Sequence, residues 1–325
     1  MGQKSSKYKV GELLGQGAFG KVYKGEGQDP RYACTCKMLI CMCDKVVALK
    51  KVKMKNKQQR RSAYKELGPL RESKYKFHPH VVQCKDHFKK GKSLWLVLEY
   101  CSQGTLNDYL LGDPNAGVLL RLMKEIADAV SFLHANNIVH RDLKPDNILL
   151  TGSSVAPIAK VGDFGLAKVC GVGDKDLGQY YMFSQCGSHF FMAPEVFDFL
   201  SEYKMYCDVF SMGVVFAAMV DRKKIGETMV VFIGSTIGPI GKALCQKPSL
   251  DISDKILTGK VNKRFKQLCL SMLKRNYRDR PVASDVLKQL KTIRTLDPEV
   301  DSPKAKKSLP KCVQRCRNSP QTSGN

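Results

Sequence analysis

The run His140-Arg141-Asp142-Leu143-Lys144-Pro145-Asp146-Asn147 decides how this chain is read. It places a carboxylate, an ammonium group and an amide within a few residues of one another. An apolar, helix-like run, Ile126 to Leu133, leads into it, and the apolar pair Leu149-Leu150 follows. Asp163-Phe164-Gly165 comes shortly after. Far upstream, Gly15-Gln16-Gly17-Ala18-Phe19-Gly20 interrupts an alternating segment that begins at Tyr8. Glycines at such a turn let backbone amides approach phosphate oxygens that a Cβ would obstruct. A lone G-x-G-x-x-G also fits a dinucleotide site, but that reading needs a helix directly after the turn. Here the β-type run Lys21-Val22-Tyr23 follows instead.

Eight residues in this order, with Asp-Phe-Gly downstream and a glycine-rich turn upstream, form a specific combination. At these positions the chain resembles the eukaryotic protein kinases, of the Ser/Thr type. The resemblance implies an α+β, bilobal fold, with a small β-rich N-lobe holding one regulatory helix and a larger, mainly helical C-lobe. It divides the chain into a leader (1–7), a kinase domain (8–292, with lobes at about 8–101 and 105–292) and a basic tail (293–325). It also implies ATP and Mg²⁺ as cofactors, and γ-phosphoryl transfer to Ser/Thr hydroxyls of proteins.

Residue roles carry over position by position. Asp142 accepts the hydroxyl proton, and Lys144 meets the γ-phosphate. Val46-Val47-Ala48-Leu49-Lys50 matches the V-A-I-K strand, so Lys50 is the partner of the α- and β-phosphates. Asn147 and Asp163 are oxygen ligands of the kind Mg²⁺ prefers. Gly15, Gln16, Gly17, Ala18, Phe19 and Gly20, with Val22, Ala48 and Leu149, belong to the nucleotide site. Leu98 is the gatekeeper, and backbone groups of Glu99 and Cys101 meet the adenine edge. The regulatory helix is expected around 58–74. Glu66 is the residue chosen to pair with Lys50, since Leu70 falls four residues on, with Glu72 the alternative. Gly68-Pro69 disfavours helix interior at this point.

The activation segment is placed at 166–192. Its Cys186-Gly187-Ser188 matches the family's C-G-T, and Ala193-Pro194-Glu195 closes it. A phosphate on this segment would pair with Arg141, which precedes the base. Ser184 is the candidate acceptor, with Tyr180 and Tyr181 as runners-up and an unmodified loop as the competing reading. Glu195 is expected to pair with Arg280, and Asp208 to open a buried central helix. A second class of function stays open, a pseudokinase or docking scaffold on the same fold. The presence of Lys50, Asp142 and Asp163 argues for the enzyme.

A closer resemblance rests on HRDLKPDNILL, DFGLAKVC, CGSHFFMAPE and the stretch Gly238 to Leu244. These look most like the PDZ-LIM-interacting Ser/Thr kinases and their relatives, which implies a nuclear setting and PDZ-LIM scaffold partners. The chain departs from the wider family between 26 and 45, where Cys34, Cys36, Cys41 and Cys43 are spaced C-x-C-x4-C-x-C. Four thiolates can hold zinc; an apolar insertion with free thiols is the alternative.

Composition bounds the rest. The 325 residues are 43% hydrophobic and 26% charged, as expected of a soluble globular protein. No apolar run is long enough to span a bilayer, and the N-terminus lacks the apolar core of a secretory signal. The thirteen cysteines are therefore expected as thiols in a nuclear or cytoplasmic setting. Met1-Gly2-Gln3-Lys4-Ser5-Ser6 fits the N-myristoylation pattern, so weak membrane association depends on acylation of Gly2. The net charge of +24 favours anionic partners. Basic runs at 50–61 and in the tail read either as nuclear addresses or as solvated surface; direct nucleic-acid binding is not expected, and a monomer is.

Overall fold

The computed structural model describes residues 7–17, 20–27, 46–54, 64, 77–112, 114–164, 168–169, 188–197, 205–225, 229–231 and 239–298. The N-terminal part is a sheet of β1 (Tyr8–Gly17), β2 (Gly20–Gly27), β3 (Val46–Lys53), β4 (Cys84–Lys90) and β5 (Ser93–Glu99). Its order is β1-β2-β3-β5-β4, and every pairing is antiparallel. A tight turn at Gly91-Lys92 joins β4 to β5, with Gly91 at φ +58°.

Alternation along the strands sorts the side chains onto two faces. Val47, Leu49, Trp95 and Val97 pack with Tyr8 and Phe88 on one face. Val52, Met54, Leu94 and Leu96 pack on the other. Lys50 lies opposite both Val22 and Leu96, and Ala48 opposite Leu98. The lysine therefore shares the second face. On the first face the rings form a stack: Tyr8 on Phe88 at 5.9 Å, and Phe88 on Trp95 at 5.9 Å, both within 6° of parallel. The Lys51 ammonium sits 5.3 Å from the centre of the Trp95 ring.

The remainder is mainly helical: α1 (Leu106–Leu111), α2 (Ala116–Ala135), α3 (Pro194–Phe197), α4 (Tyr206–Val220), α5 (Ile240–Gln246), α6 (Lys263–Met272) and α7 (Ala283–Thr292). Between α2 and α3 lie β6 (Ile138–Val139), β7 (Ile148–Gly152), β8 (Pro157–Val161) and β9 (Lys168–Val169). A further small hairpin, β10 (Lys223–Ile225) with β11 (Met229–Val231), follows α4. Side-chain caps start several helices. Thr105 and Asp108 form a capping box on α1, Asn115 caps α2, and Asn262 caps α6. α4 is buried from Cys207 to Met219, as its almost unbroken apolar sequence requires. α2 buries one stripe against it and against α7.

This is the bilobal α+β arrangement that the resemblance implied. Beside it stands one correction. The tail was placed from 293, yet Ile293 and Leu296 are 2% and 5% exposed, and the Leu296 carbonyl accepts from Asn262 N at 2.8 Å. The apolar stripe of α7, Val286 and Leu290, runs on into them, and that outweighs the basic composition that follows. The regulatory helix with Glu66 and Glu72 and the cysteine insertion lie outside the described residues. So do Ala18, Phe19, Gly165, Tyr180, Tyr181 and Ser184.

Candidate active site

The His140–Asn147 loop is suspended between two anchors. One is Asp208 in the first turn of α4, a carboxylate 1% exposed. It accepts from His140 N at 2.8 Å and from Arg141 N at 2.7 Å, and it meets His134 Nε2 at 2.9 Å. Burial by itself would raise this carboxyl group, but the His134 hydrogen bond and the charges and amides around it hold it below the usual carboxylate range. These two amides fix Arg141 in a left-handed conformation, φ +70°, that a non-glycine residue rarely adopts. The second anchor is the start of the Asp163-Phe164 segment. His140 Nε2 donates to the Gly162 carbonyl at 2.7 Å, while its Nδ1 accepts from Asp142 N at 3.3 Å. The histidine ring packs beside Phe164, with centroids 5.3 Å apart. Gly162 N in turn donates to the Asn147 carbonyl at 2.9 Å.

Between these anchors the polar side chains converge. Asp142, 8% exposed, accepts on Oδ2 from Asn147 Nδ2 at 2.9 Å and from Lys144 Nζ at 3.2 Å. Asn147 Nδ2 also donates to the Asp142 carbonyl at 2.7 Å. The amide nitrogen is thus committed to Asp142, and its Oδ1, the atom that suits Mg²⁺, lies on the other side of the group.

From the sheet, Lys50 reaches Asp163 Oδ1 at 2.7 Å. The ammonium is buried, its side chain 7% exposed, so a carboxylate partner is needed to offset its desolvation. Asp163 also has a positive φ, +54°. The two residues assigned to phosphate and metal are thereby held against each other across the cleft.

Around them lies the frame of a nucleotide site. A Cβ built on Gly15 or Gly17 would find nothing within 4 Å, so open space borders the backbone where phosphate oxygens would approach. A Cβ on Gly20 would run into the Lys51 carbonyl, so this position needs glycine to join β2 to β3. Leu149 faces Lys160 in the β7–β8 hairpin and bridges to Thr105. Glu99 ends β5, and Cys101 follows it half-buried. Burial pushes the Cys101 thiol up to about 12, and the Glu99 carboxylate adds to this. These donors suit a nucleotide and a hard cation: lysine and backbone amides for phosphate, and carboxylate and amide oxygens for Mg²⁺.

Glu195 and Arg280 meet as a fork, with both oxygen–nitrogen distances 2.7 Å. The arginine also donates to the carbonyls of Lys274, Tyr206 and Arg275 and lies over the Phe210 ring. The pair braces α3 against the loop before α7. It stands apart from the converging polar groups.

Two features escaped sequence reasoning. Asp208 was read as the start of a buried helix, and its grip on the loop two residues before Asp142 was not foreseen. Lys160 drew no role from the sequence, yet its ammonium reaches Glu99 Oε1 at 2.8 Å. Its signal was a charge inside the otherwise apolar strand Pro157-Ile158-Ala159-Lys160-Val161.

Comparison with known proteins agrees with this geometry. The Protein kinase domain family matches residues 8–290. The Probable serine/threonine-protein kinase kinY of Dictyostelium discoideum is 28% identical over 326 aligned residues, which cover 93% of this chain and 51% of that protein. The chain thus spans about half the length of this curated relative.

Proposed function

The chain belongs to the protein kinase family, and from that premise we propose that it transfers the γ-phosphoryl group of ATP to Ser/Thr hydroxyls of protein substrates, with Mg²⁺ bound. The observation that carries this reading is the convergence of Asp142, Asn147 and Lys144 in one loop, beside the Lys50–Asp163 ion pair that spans the cleft.

Asp142 is the group that orients the acceptor hydroxyl and takes up its proton, an effect typically worth about 10²–10⁴ in rate. Lys144, 3.2 Å from that carboxylate, holds positive charge where the transferring phosphoryl oxygens would lie. Lys50 serves the α- and β-phosphates. Asn147 Oδ1 and Asp163 would hold Mg²⁺, which neutralises phosphate charge when bound. The backbone of Glu99 and Cys101 takes the adenine edge. Ser/Thr preference is supported by Lys144 and by Ser188 in the substrate loop, and by the name of the relative. Membership of the PDZ-LIM-interacting group, with its nuclear setting and scaffold partners, is supported by the sequence stretches that resemble it.

Phosphate incorporation into a Ser-containing protein substrate tests the reading. The unaltered chain is expected to transfer phosphate, and Asp142→Ala to lose transfer while still binding ATP. Unchanged transfer by Asp142→Ala would remove the role given to Asp142. A chain that gains no more thermal protection from millimolar Mg-ATP than Asp163→Ala gains would instead support the scaffold reading.

A further inference from the structure

Lys160 is a buried cation with no place in the phosphotransfer scheme above. It lies on β8, directly across from Leu149 and three residues before Asp163. Its side chain, 9% exposed, crosses from the large lobe to the small one and meets Glu99 Oε1 at 2.8 Å. The other oxygen of that carboxylate, Oε2, accepts from Gln83 N at 3.3 Å, and Glu99 N donates to the Gln83 carbonyl at 2.9 Å. Glu99 is thus gripped from behind by three contacts on two segments. Its own backbone and that of Cys101 are the groups assigned to the adenine edge. A buried ammonium with a short carboxylate contact holds its partner in a narrow range of positions, because the ammonium is disfavoured in that site without its partner.

Resting on the kinase reading, we propose that Lys160 is a positioning residue for adenine. Through its ion pair with Glu99 it ties the end of β5 to β8, and so sets where the backbone groups of Glu99 and Cys101 present themselves. It touches neither the phosphates nor the acceptor. Its loss is therefore expected in nucleotide affinity and KM for ATP, with kcat largely kept.

The test is calorimetric binding of adenosine, which lacks phosphates, to the full chain, alongside the KM and kcat for ATP. Lys160→Met is expected to weaken adenosine binding and raise KM for ATP by roughly tenfold, as a small misplacement of binding groups does. Lys160→Arg, which keeps the charge, is expected to restore most of the affinity. Glu99→Gln reads the same contact from the other side, should Lys160→Met not fold. The double variant is expected to be no weaker than either single one, since both remove one ion pair.

Lys160→Met with unchanged adenosine affinity, or a loss confined to kcat, would overturn the inference. So would a rise in kcat, which would make the tether a restraint. A chain that binds adenosine but transfers no phosphoryl group would refute the proposed function and leave this test running. One that binds no adenosine refutes both.

Discussion

Asp208 carries more of the site than its distance from the chemistry suggests. A carboxylate that accepts two backbone amides holds Arg141 at φ +70° and so aims Asp142. Replacing it with asparagine removes charge-assisted bonds worth about 1.5–3 kcal/mol each. Asp208→Asn is therefore expected to lower unfolding free energy by a few times ~1 kcal/mol and to reduce kcat more than KM. Chemical denaturation and steady-state kinetics check this. The sign of its pH dependence follows from its depressed pKa. Stability from such a group is present above its unfolded value, about 3.9, and is lost as pH falls through the folded value. The acid limb of the stability curve should flatten in Asp208→Asn. A second prediction concerns Cys101, whose thiol is pushed up to about 12. At pH 8 almost none of it is thiolate, the nucleophilic form. Peptide mapping after alkylation of the folded chain should find Cys101 modified far more slowly than in urea. The loop that holds Asp142 was legible because eight residues in order are specific. The reach of Asp208 and Lys160 was not, because each acts across many residues of chain, and spacing along a sequence does not report such contacts.

At the scale of elements, the Glu195–Arg280 fork links α3 to the loop before α7 in a site that excludes water. Removing one partner leaves a buried charge, at about 3–5 kcal/mol. Arg280→Ala is expected to lose stability in that range by urea denaturation. Changing both residues to apolar ones of similar size should recover much of it, because the two desolvation terms then vanish together. Gly241 in α5 offers a sharper steric test. A Cβ there would collide with the Met192 carbonyl. Gly241→Ala should thus shift the turn ahead of α3 and lower the melting temperature, as overpacking against backbone does. The first strands were readable from alternation around the glycine turn, and the buried helix α4 from the kinase pattern at Asp208. The fork was anticipated from the kinase pattern, while the Gly241 contact was not, since a glycine's neighbours across the fold leave no mark in local sequence.

At the scale of the molecule, the folded body extends past the boundary at 292 that the resemblance implied. Ending the chain after Thr292 would remove the buried Ile293 and Leu296, and the carbonyl that Asn262 N uses. That truncation is expected to cost about 3–5 kcal/mol by burial lost, measured as a lower denaturation midpoint. The family's quoted motifs end at Arg280-Pro281 and leave this boundary loose, whereas two buried apolar residues, Ile293 and Leu296, decide where packing stops. The two lobes invite separate measurement, and the molecule supplies the means. Its composition includes a single tryptophan, Trp95, stacked on Phe88 in the small-lobe sheet. Indole emission in this protein therefore comes from one lobe only. A red shift on heating would time the opening of the β-sheet, while far-ultraviolet ellipticity, dominated by the helices, would time the other half. Two curves that separate would show the lobes melting as distinct units, with an optical label nature has already attached.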